Sequence, residues 1–233
     1  ATTPQHFQDS TGNPLKFFDA VIGGLSVGVP GVPALLGEAH QRWGKAKWSI
    51  LFDDAIQLAE YGFVVTPRLA NLVAGDKKRL ARFGRTADYF FPNGKPISEG
   101  SVLKNLAYAE TLKALASKGS SVFYGGAIAQ DIVNTALTAD GNPGLLSLQD
   151  LSIYTVKQRE AVCTPYRGYD VCGMGPPSSG GLTVGQILAM ISHFDVASLG
   201  PQSAEAWRLI GDASRLAFAD RGRYMADSDY VPV

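Results

Sequence analysis

Cysteine, histidine and long apolar runs are scarce in this chain, and each scarcity excludes a class of protein. The 233 residues include two cysteines and three histidines, too few for a disulfide-framework protein or for a readily assembled zinc site. No apolar run approaches the roughly 20 residues that a membrane-spanning helix needs. The N-terminus, Ala1 to Asp9, lacks the basic start and apolar stretch of a signal peptide. The sequence therefore predicts no metal site and no membrane span, and it shows no targeting signal, which we expect was removed or never included.

An excess of charge of either sign is also absent. Lys plus Arg and Asp plus Glu number 21 each, so no net field attracts the chain to nucleic acid or to an anionic membrane. Apolar residues make up 45% of the chain, which is an ordinary share for a globular protein. We therefore expect a soluble protein without a nucleic-acid partner.

Apolar residues at helical spacing predict a fold rich in α-helix. Two of the predicted helices end at glycine caps, Gly44 and Gly62, and another begins at Thr66-Pro67, an N-cap followed by proline. Ser147 and Asp150 are spaced as a capping box. The predicted helices cover residues 32–43, 48–61, 67–75, 103–116, 128–137, 182–194 and 203–220.

Other segments depart from helical spacing and predict a smaller β portion. The first twenty residues are polar and broken by Pro4, Gly12 and Pro14, which indicates an extended lead-in without a packed element. Ala20–Gly31 is a β-branched run with four glycines, which predicts a strand that another backbone or a ligand approaches closely. After Tyr154 the spacing of the apolar residues changes from the helical period toward every second residue. The predicted fold class is α+β, rich in α-helix.

The two cysteines flank a predicted β-hairpin that turns at Arg167-Gly168. Counting outward from this turn places Cys163 opposite Cys172 at a non-hydrogen-bonded position, where facing Cα atoms lie about 4.5 Å apart. A disulfide accepts this spacing. The residues leave two alternatives open, a disulfide bridge or a pair of small buried hydrophobes.

The segment Pro176–Gly181 contains the candidate substrate-binding residues, which are Ser178, Ser179, Gly180 and Gly181. It joins a predicted strand directly to the N-terminus of a buried helix. Free backbone N–H groups and the positive helix end there suit a carboxylate or a developing oxyanion. The alternative, which the residues by themselves favour, is a rigid loop whose serines only cap the helix. Neither serine has the surroundings of a nucleophile, because the segment is not a Gly-x-Ser-x-Gly elbow.

The other polar candidates are interpreted as structural. Packing explains His40, and His193 at a helix end complements the helix dipole. Asp53 and Asp54 are neighbours on a helix and point about 100° apart, so they form a solvated edge and not a proton-sharing pair. A basic cluster within residues 77–85 is interpreted as a solvated face.

Several segments together resemble the γ-glutamyltranspeptidase family nearly from end to end. Tyr166-Arg-Gly-Tyr169 followed by Pro-Pro-Ser-Ser-Gly-Gly is the most specific match. The remaining matches are Gly24–Gly31, which resembles the glycine-rich strand of the family, Trp48–Gly62, Ala217–Arg221 and Asp227–Val233. The resemblance raises the substrate-binding interpretation of Ser178–Gly181 above the capping one.

The resemblance implies an N-terminal-nucleophile hydrolase with a four-layer αββα body, of which residues 1–233 would be a single-domain portion of the large subunit. In this family a precursor cuts itself, and the new terminal threonine of the small subunit attacks a γ-glutamyl amide such as glutathione. The threonine's own α-amine serves as the base, so neither a metal nor an organic cofactor is implied.

The resemblance further implies that the nucleophile and the arginine that clamps the substrate carboxylate lie outside this chain. No catalytic residue is therefore assigned here, and the chain by itself is expected to be inactive. The implied partner is the small subunit, and the implied location is periplasmic or extracellular. Two alternatives remain open at this point: a cephalosporin acylase or similar amide hydrolase on the same scaffold, and a helical interaction module that has lost catalysis.

Overall fold

The computed structural model describes residues 2–232 and divides into two compact units. One unit is the chain up to Val156, and the other begins at Lys157. The expectation that residues 1–233 form a single domain stays a prediction. Within the described residues, no helix combines the length and the apolar content needed to cross a bilayer.

The first unit is mainly helical. Its one pair of strands in the described residues, β1 (Phe63–Val64) and β2 (Val102–Leu103), is antiparallel. Short 3₁₀ turns cover Pro4–Phe7, Trp48–Phe52, Pro92–Gly94 and Ser120–Phe123. Its α-helices are α1 (Phe17–Val21), α2 (Val32–Trp43), α3 (Asp53–Tyr61), α4 (Pro67–Gly75), α5 (Lys77–Leu80), α6 (Gly84–Phe90), α7 (Leu106–Lys118), α8 (Gly126–Leu137) and α9 (Leu148–Ser152).

Local capping chemistry sets several of these helix ends, as the sequence predicts. Helix α2 ends at Gly44, whose backbone is extended with φ of −67°, and α3 ends at Gly62, where φ is +88°, in the left-handed region that favours glycine. At the start of α4, Thr66 Oγ1 accepts a hydrogen bond from the Leu69 amide at 3.3 Å. At α9, Ser147 and Asp150 form the predicted capping box. These predictions are confirmed because each depends on residues within one turn of the helix end.

Two apolar clusters form the main interior of this unit. The first surrounds the β1–β2 pair, and its buried members are Val65, Val73, Phe91, Ile97 and Leu103. The second lies along α8 and α9, and its buried members are Ala129, Val133, Ala136, Leu146 and Leu151. Two side chains of the first cluster, Phe91 and Ile97, flank the short 3₁₀ turn Pro92–Gly94.

The predicted strand at Ala20–Gly31 is wrong, although its predicted close approach to another backbone is confirmed. Helix α1 occupies the chain up to Val21, and turns follow it. The Gly24 amide donates to Asn142 O at 2.7 Å, and a Cβ at Gly24 would overlap the carbonyl oxygen of Ala136. The buried Asn142 side chain also donates to Asp19 O and Ile22 O, both at 2.9 Å. The backbone groups of this segment thus bind a loop and not a neighbouring strand.

The lead-in before α1 also differs from the prediction. Its residues form the short 3₁₀ turn Pro4–Phe7 and an isolated bridge between Gln8 and Pro14, whereas an extended chain was expected. None of the residues in that turn is buried. Helix α1 begins within the first twenty residues, at Phe17, so the prediction of an extended lead-in is wrong there.

The second unit consists of a hairpin and three helices in its described part. The strands are β3 (Ala161–Tyr166) and β4 (Tyr169–Met174), and the helices are α10 (Gly180–Ile191), α11 (Val196–Leu199) and α12 (Ala204–Tyr224). The turn residues Arg167 and Gly168 have φ of +50° and +87°, which is the signature of a type I′ turn.

The hairpin register confirms the predicted pairing of the cysteines. Cys163 faces Cys172 with their Cα atoms 4.0 Å apart, and a disulfide joins them. Both residues are exposed, so the alternative of a buried hydrophobic pair is wrong. The disulfide lies on the face opposite Val162 and Thr164, because successive side chains of a strand alternate between its faces.

Candidate functional site

Residues 175–179 connect β4 to α10, so the candidate segment joins a strand to a helix N-terminus as predicted. The helix packs on the hairpin backbone to backbone. A Cβ added to Gly181 would lie 2.8 Å from Met174 O and 3.0 Å from Gly173 O. One turn further along, a Cβ added to Gly185 would overlap the Thr164 hydroxyl of β3. At these two glycines α10 lies so close to the hairpin that neither position has room for a side chain.

Ser178 stabilises the loop locally. Its amide donates to Gly175 O at 3.0 Å, and its Oγ accepts from the Gly180 amide at 3.4 Å. The capping alternative for the serines therefore holds for Ser178, through a long hydrogen bond at the first residue of α10.

Ser179 has a different role, because it occupies the N-cap position without making a side-chain capping bond. Its Oγ accepts a hydrogen bond of 2.8 Å from Nε of Arg221 on α12. The residue before Arg221, Asp220, accepts from Gln186 Nε2 at 3.0 Å. Adjacent residues of α12 therefore bind α10 at two points, Ser179 and Gln186. Sequence reasoning did not identify Arg221 as a partner of the loop.

Thr183 lies between these two points on α10. It is 6% exposed, and its Oγ1 has no hydrogen-bond partner in the described structure. Residues three or four apart share one side of a helix, so Ser179, Thr183 and Gln186 form one polar stripe along α10. A buried hydroxyl without a partner is uncommon in proteins and requires an explanation.

Charged side chains from the start and the end of the second unit form a cluster. The Asp229 carboxylate accepts from Lys157 Nζ at 2.7 Å and from Arg159 Nη2 at 2.6 Å. These hydrogen bonds, the one from Lys157 first, hold the pKa of Asp229 below the usual aspartate range. Arg159 also lies 3.8 Å from Asp227. Asp229 is therefore an ionised anchor at neutral pH and has no proton to donate as a general acid.

The other polar candidates have contacts that suit structural roles. His40 Nε2 lies 2.8 Å from Ala46 O, and its ring packs edge-on against Trp48 at 5.1 Å. Asp53 and Asp54 are exposed in the first turn of α3. From the basic cluster, Arg85 pairs with Asp131 at 3.2 Å. Among residues 2–232, no three His, Cys, Asp or Glu side chains converge as a metal site.

The chain is similar to known proteins over its whole length. A gamma-glutamyltranspeptidase family model matches residues 1–233. The glutathione hydrolase proenzyme of Bacillus subtilis (strain 168) is 34% identical over 231 residues, which are 99% of this chain and 39% of that protein. The acylase ACY 1 proenzyme of Pseudomonas sp. (strain SE83) is 38% identical over 213 residues, which are 91% of this chain and 38% of that protein.

A solved structure also matches this chain over its whole length. The crystal structure of Helicobacter pylori gamma-glutamyltranspeptidase matches with a TM-score of 0.92 at 33% identity, covering 100% of this chain and 66% of that chain. This chain thus spans well under half the length of the two curated relatives, 39% and 38%. The family match covers every residue, including the segment Tyr166–Gly181 on which the resemblance mainly rests. The chain therefore belongs to the gamma-glutamyltranspeptidase family.

Proposed function

We propose that the complete protein transfers or hydrolyses the γ-glutamyl group of glutathione and related amides. The observation that supports this most is the family match over residues 1–233. The relative from Bacillus subtilis, 34% identical, bears the name glutathione hydrolase proenzyme. This chain would supply part of the large subunit and of the αββα body, and the small subunit of the same precursor would be its partner.

The chemistry in this proposal belongs to a threonine at the N-terminus of the small subunit. Its hydroxyl oxygen attacks the γ-glutamyl carbonyl, its α-amine accepts the hydroxyl proton, and the leaving amine takes that proton as the amide bond breaks. Water or an amino acid then accepts the γ-glutamyl group from the acyl-enzyme. No residue of this chain is assigned a catalytic role, and the proposal includes no metal and no organic cofactor.

The role proposed for this chain is to shape one wall of the pocket with Ser178, Ser179, Gly180 and Gly181. Three features support this role. The segment begins α10, whose N-terminus carries partial positive charge. It is held by the hairpin on one side through Gly181. It is held by α12 on another side through Arg221. A wall fixed in this way presents its hydroxyls without losing further conformational entropy on binding.

The proposed location is the periplasm or the extracellular space. The Cys163–Cys172 disulfide supports it, because such bridges persist in oxidising compartments and are rare in the cytosol.

A second candidate function is the hydrolysis of other amides, such as the side-chain amides of cephalosporins, on the same scaffold. The specific observation in its favour is the 38% identity with the acylase ACY 1 proenzyme. Both candidates require the same attack on an amide carbonyl, and they differ in the acyl group that the pocket accepts.

The test is to express the complete precursor, follow its self-cleavage by mass spectrometry, and assay the product with γ-glutamyl-p-nitroanilide and with a cephalosporin amide. We expect cleavage into two subunits and faster turnover of the γ-glutamyl substrate. A precursor with alanine in place of the terminal threonine is the control and should neither cleave nor turn over substrate. Faster turnover of the cephalosporin amide would support the second candidate.

The 233-residue chain by itself should release no nitroaniline in the same assay. Clear turnover by the pure chain would contradict the assignment of the chemistry to the small subunit.

A further inference from the structure

The hydrogen bond between Arg221 and Ser179 determines what the serine hydroxyl can still do. A guanidinium group has donors and no acceptor, so the 2.8 Å bond from Arg221 Nε occupies a lone pair of Ser179 Oγ. The hydroxyl proton is not used in this bond. In the part of the chain that the structure describes, Ser179 Oγ makes no other hydrogen bond. The hydroxyl proton of this partly exposed serine is therefore available to water or to another acceptor outside the described residues.

The cation also strengthens this donor. A hydroxyl oxygen that accepts a hydrogen bond from a charged group loses electron density, which makes its own proton a better donor. The Arg221 bond additionally restricts the rotation of the hydroxyl, since one lone pair must point at Nε. The group that Ser179 prefers to bind is consequently an oxygen with high electron density, such as a carboxylate or an amide carbonyl.

A second, independent observation lies one turn further along α10. The Thr183 hydroxyl is buried and unpartnered on the same side of the helix as Ser179. The polar stripe of α10 thus has two hydroxyl groups with unused hydrogen-bonding capacity, of which that of Ser179 is bonded to Arg221 and that of Thr183 is buried, whereas Gln186, the third member, is already paired with Asp220.

We infer that Arg221 is a positioning residue that orients the Ser179 hydroxyl to donate a hydrogen bond to an oxygen of the γ-glutamyl donor in the complete enzyme. This inference rests on the proposed function. Arg221 itself does not touch the substrate; its effect passes through Ser179. The Gln186–Asp220 bond joins the same two helices at a distance from the loop and serves their packing alone.

The experiment uses the complete precursor and compares Ser179→Ala, Ser179→Thr, Arg221→Gln and the double variant Ser179→Ala/Arg221→Gln. The matched control is Gln186→Ala, which removes the other hydrogen bond between α10 and α12. Self-cleavage, KM and kcat are measured for each variant with γ-glutamyl-p-nitroanilide.

We expect Ser179→Ala and Arg221→Gln each to raise KM by about tenfold, the usual size for loss of one charge-assisted hydrogen bond. The value of kcat per cleaved enzyme should change by no more than about twofold, because the bond is made in the ground state as well as in the transition state. Ser179→Thr keeps the hydroxyl and should restore a KM close to that of the unaltered enzyme. The double variant should resemble either single variant, since both remove the same interaction.

Three results would overturn the inference: unchanged KM in Ser179→Ala, an equal rise of KM in Gln186→Ala, or failure of both Ser179→Ala and Arg221→Gln to mature. Each would assign the pair to helix packing or folding. A precursor that matures but has no γ-glutamyl activity in its unaltered form is a distinguishable outcome, because it contradicts the proposed function itself.

Discussion

Gly180 and Gly181 are adjacent and equivalent in the sequence, yet the structure gives them different roles. A Cβ at Gly180 would have its nearest contact at 3.7 Å, with Ser178 Oγ, which is ordinary packing. A Cβ at Gly181 would press on backbone atoms of Gly173 and Met174 that cannot move aside without displacing β4. Gly181 is therefore required for the packing of α10 on the hairpin, whereas Gly180 is not.

We predict that Gly181→Ala lowers the free energy of unfolding by about 1–3 kcal/mol, the usual cost of inserting a group into a closely packed contact. The control Gly180→Ala should leave stability unchanged or raise it by up to about 1 kcal/mol, because alanine reduces the entropy of the unfolded chain. Urea titrations followed by circular dichroism measure both values. Equal losses for the two variants would contradict the packing role assigned to Gly181.

For single residues, the sequence predicts hydrogen bonds between neighbours in the chain and misses those between residues that are far apart in the chain. The Thr66 cap and the Ser147–Asp150 box were predictable because their partners lie within one turn. The bond between Ser179 and Arg221 joins residues 42 positions apart. A single arginine on an amphipathic helix suggests a solvated face, so no local pattern indicated its partner.

The same distinction between local and distant interactions holds for the strands and helices. The hairpin was predictable together with its register, because a two-residue turn fixes which residues face each other. The strand predicted at Ala20–Gly31 was wrong, because β-branched residues form a strand only where a second strand is available to pair. The glycines there instead allow Gly24 to approach the backbone of Ala136 and Gly144, and that approach depends on where α8 lies in the fold.

The hairpin itself gives a prediction about the disulfide. Cys163 and Cys172 are nine positions apart, and closing so short a loop in the unfolded chain is worth about 2–3 kcal/mol in the chain-entropy account. A thiol reductant should therefore lower the free energy of unfolding by that amount, and the unreduced protein should be two hydrogens lighter than the reduced one by mass spectrometry.

The control for this experiment is the double variant Cys163→Ser/Cys172→Ser. Its stability should match that of the reduced protein and should not respond to reductant. A reductant effect of the same size on the double variant would show that the loss of stability has another origin.

The surface of the molecule includes one unusual helix, α12. Its small and large apolar residues are placed in the reverse of the order expected for a surface helix. Its buried side is made of alanines, namely Ala206, Ala213 and Ala217. Large apolar side chains point outward instead: Trp207 is 63% exposed, Leu216 61% and Phe218 58%. Surface helices normally bury their large apolar residues. Here two flanks of α12 expose them, Trp207 and Phe218 on one flank and Leu216 on the other, and exposed apolar area of this kind usually marks an interaction surface.

We therefore predict that the isolated 233-residue chain self-associates, because association removes these side chains from water. Its average sedimentation coefficient should rise with concentration in analytical ultracentrifugation. The variant Leu216→Gln/Phe218→Gln should shift the distribution toward monomer, since each side chain loses most of its hydrophobic contribution. The control Arg215→Gln alters an exposed position of the same helix without changing its apolar area and should behave like the unaltered chain. A chain that sediments as a monomer at all concentrations would contradict the prediction that the exposed apolar side chains of α12 require a cover.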